Sequence, residues 1–198
     1  VQTLRYAVEA KDSYTRGHSD RVSEYSVLIG EKMGLSEEDL RILRIGGLFH
    51  DIGKIGIPDR ILLKEAKLTD EEYAEIKKHP TIGAHILEDA EAFKDMVPIV
   101  KYHHERFDGR GYPEGLKGKE IPLFARIAAV ADTFDAMTSK RSYRNALALD
   151  IVIGEIERCK GSQFDPQIAD IFLDILKNEY EKIIDIQSRY ITNEFDNN

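Results

Sequence analysis

Cysteine is nearly absent from the chain: Cys159 is the only one in 198 residues. A single thiol excludes an internal disulfide framework and any cysteine-rich zinc site. It leaves a reducing cytoplasm as the expected compartment. No apolar run approaches the roughly 20 residues that span a bilayer, so no membrane segment is expected. There is no secretory leader pattern, and the sequence starts at Val1 rather than at Met. That start is expected of a piece of a longer protein, with a sensor or receiver domain on its N-terminal side. An excess of positive charge is also missing. The formal net charge of -8 argues against a nucleic-acid polymer as partner. A small anionic substrate stays open, provided that local cations, metals included, reverse the field inside a site.

Period-two alternation over a strand length is absent as well, which leaves an all-α domain as the expected class. The length suits one domain with its own core, and 42% hydrophobic residues suit a globular one. Helices are expected over Val1 to about Lys11 and over Gly17 to Met33, with Gly34 as a stop. The next is capped by Ser36 and runs to near Gly53. Residues 55–67 look irregular. Thr69 and Glu72 form a capping-box signature for a helix that ends before His79-Pro80. Further helices are expected over Pro80 to Asp89 and Phe93 to His104. A Gly- and Pro-rich loop fills 105–121, and Pro122 is a first-turn proline of the helix that follows. Ala148 to Lys160 and a long helix opened by Asp165-Pro166, running past Tyr180, complete the chain.

What the sequence has in quantity is histidine in pairs with other ligand types. Six histidines occur: His18, His50, His79, His85, His103 and His104. His50 and Asp51 are adjacent at the end of an apolar helix, and His103 and His104 end another before the glycine-rich loop. Neighbours on a helix point about 100° apart, so a pair can serve two ions or hold one and steady the next. Imidazole with carboxylate suits borderline divalent transition metals; calcium would want mostly oxygen ligands. A hydrolytic two-metal site needs a bridging oxygen ligand, which Asp51 can supply. Asp132 is an acid on an otherwise apolar helix face, costly if buried without a cation. Lys54 lies one turn past His50, within reach of a substrate phosphate. Gly109 and Gly111 allow positive φ and close backbone approach, and Tyr112 offers a ring for a base. Arg141 and Arg144, one turn apart, suit phosphate. On residues alone, plainer readings stand beside these. Asp132 is also a solvated or capping acid, and Lys54 a charge at the negative end of a helix. The loop is also an ordinary surface turn, and the two arginines a solvated basic one.

The pieces, taken in order, resemble the HD-GYP domain of the HD phosphohydrolase superfamily. They are Tyr14-Thr15-Arg16-Gly17-His18, His50-Asp51-Ile52-Gly53-Lys54 through Pro58, His79-Pro80, His103-His104-Glu105 through Pro113, Ile121-Pro122, Asp132 through Asp135, and Arg141 through Arg144. A bare His-Asp pair is a weak signal, whereas this ordered set is specific. It covers about residues 5–175 of a single 1–198 domain, with 176–198 as C-terminal helix and tail. The resemblance implies hydrolysis of cyclic di-GMP to pGpG, and on to GMP in many members, by attack of a metal-bridging water. It implies that His18, His50, Asp51 and Asp132 hold one divalent transition metal and that Asp51 bridges to a second on His79, His103 and His104. Iron or manganese is expected, with nickel, cobalt or zinc as alternatives. Asp51 and Lys54 would be catalytic. Lys54, Asp108, Gly111, Tyr112, Asp135, Arg141 and Arg144 would meet the substrate, and His85 matches no ligand position. Some members carry a Glu one turn before the first His for a third metal. Tyr14 stands there, so two ions are expected rather than three. A homodimer is compatible with the pattern. The rival readings are a cyclic-dinucleotide-binding signalling module, a nucleotide phosphomonoesterase, or a diiron oxygenase on a related helical site.

Overall fold

Capping chemistry starts the helices where the sequence places it. The computed structural model describes residues 17–139 and 146–190, and the expected helix at Val1–Lys11 lies outside them. Ten helices run through the described residues. They are α1 His18–Lys32, α2 Glu37–Phe49, α3 Asp59–Leu62, α4 Asp70–Ile76, α5 His79–Glu88, α6 Val97–Tyr102, α7 Leu123–Thr138, α8 Leu149–Cys159, α9 Pro166–Asn178 and α10 Tyr180–Arg189. No strand occurs among the described residues beyond one isolated bridge between Lys160 and Phe164. Ser36 accepts from the Asp39 amide, and Asp39 accepts from the Ser36 amide, which closes a capping box on α2. Thr69 and Glu72 do the same for α4. Asp165 accepts from the Gln167 amide, with Pro166 at the first helical position of α9. Each device satisfies amides that would otherwise have no intrahelical partner.

Five features differ from expectation. The second helix stops at Phe49 with His50 as its C-cap, and residues Ile52–Gly56 form a separate 3-10 turn rather than completing the helix. The segment after it is less irregular than expected, because Asp59–Leu62 close one α turn. Glu91–Met96 form a 3-10 turn before α6, with Pro98 in the first turn of that helix. Proline lacks the amide that a continuous helix needs, and its ring collides with the carbonyl four residues back. The last long helix is broken at Glu179, whose φ of -135° is non-helical, so α9 and α10 are separate rods. Pro122 serves as the N-cap of α7 rather than as its first helical residue.

The apolar stripes meet around α1 and α7. Val22, Tyr25 and Ile29 of α1 pack with Leu43 of α2, Ile127, Val130 and Phe134 of α7, and Ile168, Phe172 and Leu176 of α9. Phe134 is the hub. Its ring meets Tyr25 edge-on at 5.1 Å between centroids and Phe172 at 4.9 Å. Phe49, Ile52, Leu87 and Val100 form a smaller cluster where α5 and α6 close on the Ile52–Gly56 turn. That closure depends on Gly53. A Cβ there would stand 1.8 Å from the His79 carbonyl oxygen, so only glycine lets the two segments meet. The two clusters flank the ends of α2 and α6, where the chain carries its histidines. Phe134→Ala should lower stability by about 3–5 kcal/mol, read from the midpoint shift in urea unfolding.

Candidate metal centre

Five histidines and Asp51 converge where helices begin or end, and Asp132 joins them from inside a helix. His18 opens α1, His50 caps the end of α2 with Asp51 next, and His79 opens α5. His103 caps α6 with His104 next, and Asp132 sits within α7. Asp51 stands in the middle. Its Oδ2 lies 3.4 Å from His50 Nε2 and 3.8 Å from His18 Nε2, and its Oδ1 lies 3.2 Å from His79 Nε2. Asp132 Oδ1 is 3.4 Å from His18 Nε2 and 3.9 Å from His50 Nε2. Two ligand groups result, His18–His50–Asp51 and Asp51–His79–His103–His104, each with donor atoms within 4.8 Å of one another. Asp51 belongs to both.

The far nitrogens explain the orientation of the rings. Nδ1 of His50 lies 2.8 Å from the Gly47 carbonyl, that of His79 2.7 Å from Ile76, and that of His103 2.9 Å from Val100. A carbonyl only accepts, so each Nδ1 carries the hydrogen, and in the neutral ring each Nε2 presents a lone pair. Those three Nε2 atoms are buried without a hydrogen-bond partner. Buried polar atoms rarely go unpaired, and three aimed at one carboxylate are what a cation would satisfy. His18 is held differently: its Nδ1 donates to Asp135 at 2.8 Å, and Arg21 Nε donates to the other oxygen of that carboxylate at 2.6 Å.

Burial and charge set the proton affinities. For His50, burial alone would lower the pKa, but Asp51 and Asp132 outweigh it and raise it to about 9. Burial drives His104 down to about 4, and it holds His103 well below the usual range, with the neighbouring imidazoles adding to the effect. Both are therefore neutral at neutral pH. Asp51 stays ionised despite its burial because Lys54, whose Nζ is 2.8 Å away, and His50 favour the anion. Burial likewise opposes ionisation of Asp135, but His18 and Arg21 hold it down at about 2.

The structure brings His18, His50, Asp51, Lys54, His79, His103, His104 and Asp132 into one place. His85 is exposed on α5 and pairs with Glu88. Tyr112 stacks on His104, with ring centroids 4.8 Å apart and planes 29° apart. Three of the expected substrate contacts have partners or close contacts within the fold. Asp135 is only 1% exposed, and its oxygens are taken by His18, Arg21 and Ser139. Asp108 pairs with Arg106 at 2.7 Å and accepts from the Arg110 amide, which shapes the loop from within. Gly111 does not adopt positive φ, although Gly109 does. Gly111 is glycine because a Cβ would meet the Arg106 amide nitrogen at 2.4 Å. Arg141, Arg144 and Tyr14 lie outside the described residues.

Two residues were missed by sequence reasoning. Glu105 is buried and accepts from the amides of Glu114 and Gly115, tying the loop back under His104. Arg21 had a readable signal: it follows His18 by one turn, as Asp135 follows Asp132, so the Arg21–Asp135 pair crosses between α1 and α7 one turn along from the His18–Asp132 pair.

Comparison with known proteins agrees with this geometry. A family model described as "HD domain" matches residues 2–168. The chain is 43% identical over 87% of its length to the cyclic di-GMP phosphodiesterase response regulator RpfG of Xanthomonas campestris pv. campestris, covering 46% of that protein. It is 44% identical over 89% of its length to a cyclic di-GMP phosphodiesterase of Thermotoga maritima, covering 49% of it. Among solved structures, the cyclic GMP-AMP specific phosphodiesterase V-cGAP3 of V. cholerae superposes with a TM-score of 0.72 over 96% of this chain and 51% of that one, at 21% identity. The chain spans about half the length of the curated relatives it matches. This chain belongs to the HD domain family of phosphohydrolases. Within that family its curated relatives agree with the HD-GYP branch read from the motif order.

If Asp135 orients His18 for a cation, Asp135→Asn should weaken divalent metal binding by about 10- to 100-fold, measured by calorimetric titration, with far-UV circular dichroism unchanged.

Proposed function

We propose that the domain hydrolyses cyclic di-GMP at a centre of two divalent transition metals, opening the ring to the linear dinucleotide pGpG. The observation that carries this reading is Asp51, a buried carboxylate shared by two histidine groups whose Nε2 atoms face it. His18, His50, Asp51 and Asp132 would hold one ion, and Asp51, His79, His103 and His104 the other. Imidazole-rich, thiolate-free donors suit iron or manganese, and nickel, cobalt and zinc are compatible. When bound, such ions supply Lewis acidity and lower the pKa of water, which a phosphodiester needs for attack at neutral pH.

The chain's own residues account for the rest. Lys54 reaches the Asp51 carboxylate and so stands beside any phosphate drawn to the cluster, where its charge offsets that of the leaving oxygen. Asp135 and the carbonyls of Gly47, Ile76 and Val100 keep the imidazoles turned inward without moving during the reaction. Tyr112 walls the site on the side of His104. Burial keeps its phenol neutral, which leaves the hydroxyl a donor toward substrate oxygen. Arg141 and Arg144 add the phosphate contacts that the motif order implies.

Cyclic di-GMP is preferred over other cyclic dinucleotides because the relatives at 43–44% identity carry that activity in their names. Relatives named 3'3'-cGAMP-specific phosphodiesterases stand at 36–37%. The response-regulator name of one relative supports a receiver domain elsewhere in the full protein. Incubation with cyclic di-GMP and with 3'3'-cGAMP in manganese should give pGpG faster than cGAMP cleavage. His50→Ala and Asp51→Ala should each abolish product while keeping the helical spectrum. Turnover at wild-type rate in either variant overturns the assignment.

A further inference from the structure

The last described helix is fastened to the metal centre through one side chain. Arg21, 13% exposed, spreads its guanidinium over three partners. Nε and Nη2 grip Asp135 at 2.6 and 3.0 Å, Nη2 also reaches Ser139 Oγ at 3.2 Å, and Nη1 donates to the Tyr190 carbonyl at 3.2 Å. Tyr190 is the C-cap of α10, so that carbonyl belongs to the turn whose acceptors lack helical partners. The same oxygen presses on Gly17, where a Cβ would lie 2.8 Å from it. Gly17 directly precedes His18, and Asp135 holds His18 Nδ1. One backbone oxygen at the end of α10 therefore bears on His18 from two directions.

The helix that supplies this oxygen is lightly held. α10 is separated from α9 by the break at Glu179, and its buried residues are Ile183 and Ile186. Its ion pairs, Lys182 with Glu179 and Arg189 with Asp185 and Glu24, each have at least one partner that is exposed to solvent by more than two fifths. Such pairs contribute about 0–1 kcal/mol each. Elements with few buried contacts open at low free energy, so α10 can lift while the α1–α7–α9 core stays folded.

We propose that Arg21 is a positioning residue that makes metal affinity at the His18 side of the centre depend on the docking of α10. An input that lifts α10 then frees the Arg21 fork, loosens Asp135 and lets His18 turn. The inference rests on reading the cluster as a metal centre.

The test is a double-mutant cycle in the intact chain, with Co²⁺ as probe and its visible absorption as the signal. Arg21→Gln should weaken Co²⁺ binding by about 10-fold or more. Ile186→Ala, which removes the α10 anchor and touches no ligand, should weaken it by about 5-fold or more. The double variant should bind no more weakly than Arg21→Gln alone, because the second change acts only through the first. Circular dichroism checks the fold, and Ile186→Val replaces Ile186→Ala in the same cycle if the latter unfolds. Multiplicative losses, or Co²⁺ affinity unmoved by both Ile186 changes, overturn the inference and leave the metal reading intact. A wild-type chain that takes up no Co²⁺ overturns both.

Discussion

A buried carboxylate governs the rest of the structure. Asp51 is 5% exposed, and an ionised group so far from water costs several kcal/mol unless positive charge or donors surround it. Lys54 meets part of that demand from one turn along the chain. His50, held protonated by Asp51 and Asp132, meets another part, but His79 and His103 as neutral rings do not, because their buried Nε2 atoms have no hydrogen-bond partner. Lone pairs directed at a carboxylate repel it unless a proton or a metal ion lies between. The arrangement therefore suits a cation, and Asp51 belongs to both groups of donor atoms.

Helix ends make this arrangement affordable in conformational terms. Carbonyls near the C-terminal end of a helix lack intrahelical donors. His50 and His103 sit where such carbonyls are available, three residues back, and each uses one to fix its ring. The backbone group that needed a donor and the side chain that needed orientation satisfy each other. His79 finds the same relation across the junction of α4 and α5. The price of bringing those ends together is paid in side-chain volume, at Gly53 against His79 and at Gly111 against the strand of backbone from His104 to Arg106.

The sequence made some parts legible and left others dark, for definable reasons. Capping boxes at Ser36 and Thr69 were readable because they are local, spanning four residues each. The break at Glu179 was not, since no proline or glycine marks it and the apolar period continues from α9 into α10. The His and Asp residues of the cluster were readable through residue type and motif order. Asp135 was misplaced among the substrate contacts because the motif order names a residue without saying which way it faces. Its partners are 114 and 117 positions away, beyond any local pattern. The Asp108 pairing was overlooked for the opposite reason: its partner, Arg106, is only two residues off.

By itself the sequence determined an all-helical class, the histidines and aspartates gathered around His50-Asp51, and the family. These follow from periodicity, residue chemistry and order, which are properties of a string. Tertiary structure alone decided that Asp51 stands between two histidine groups and that Asp135 and Arg21 support His18 from behind. It also decided that the end of α10 reaches that support. Those facts depend on distances between segments far apart in the chain, and only packing of the helices around Phe134 and closure at Gly53 sets them.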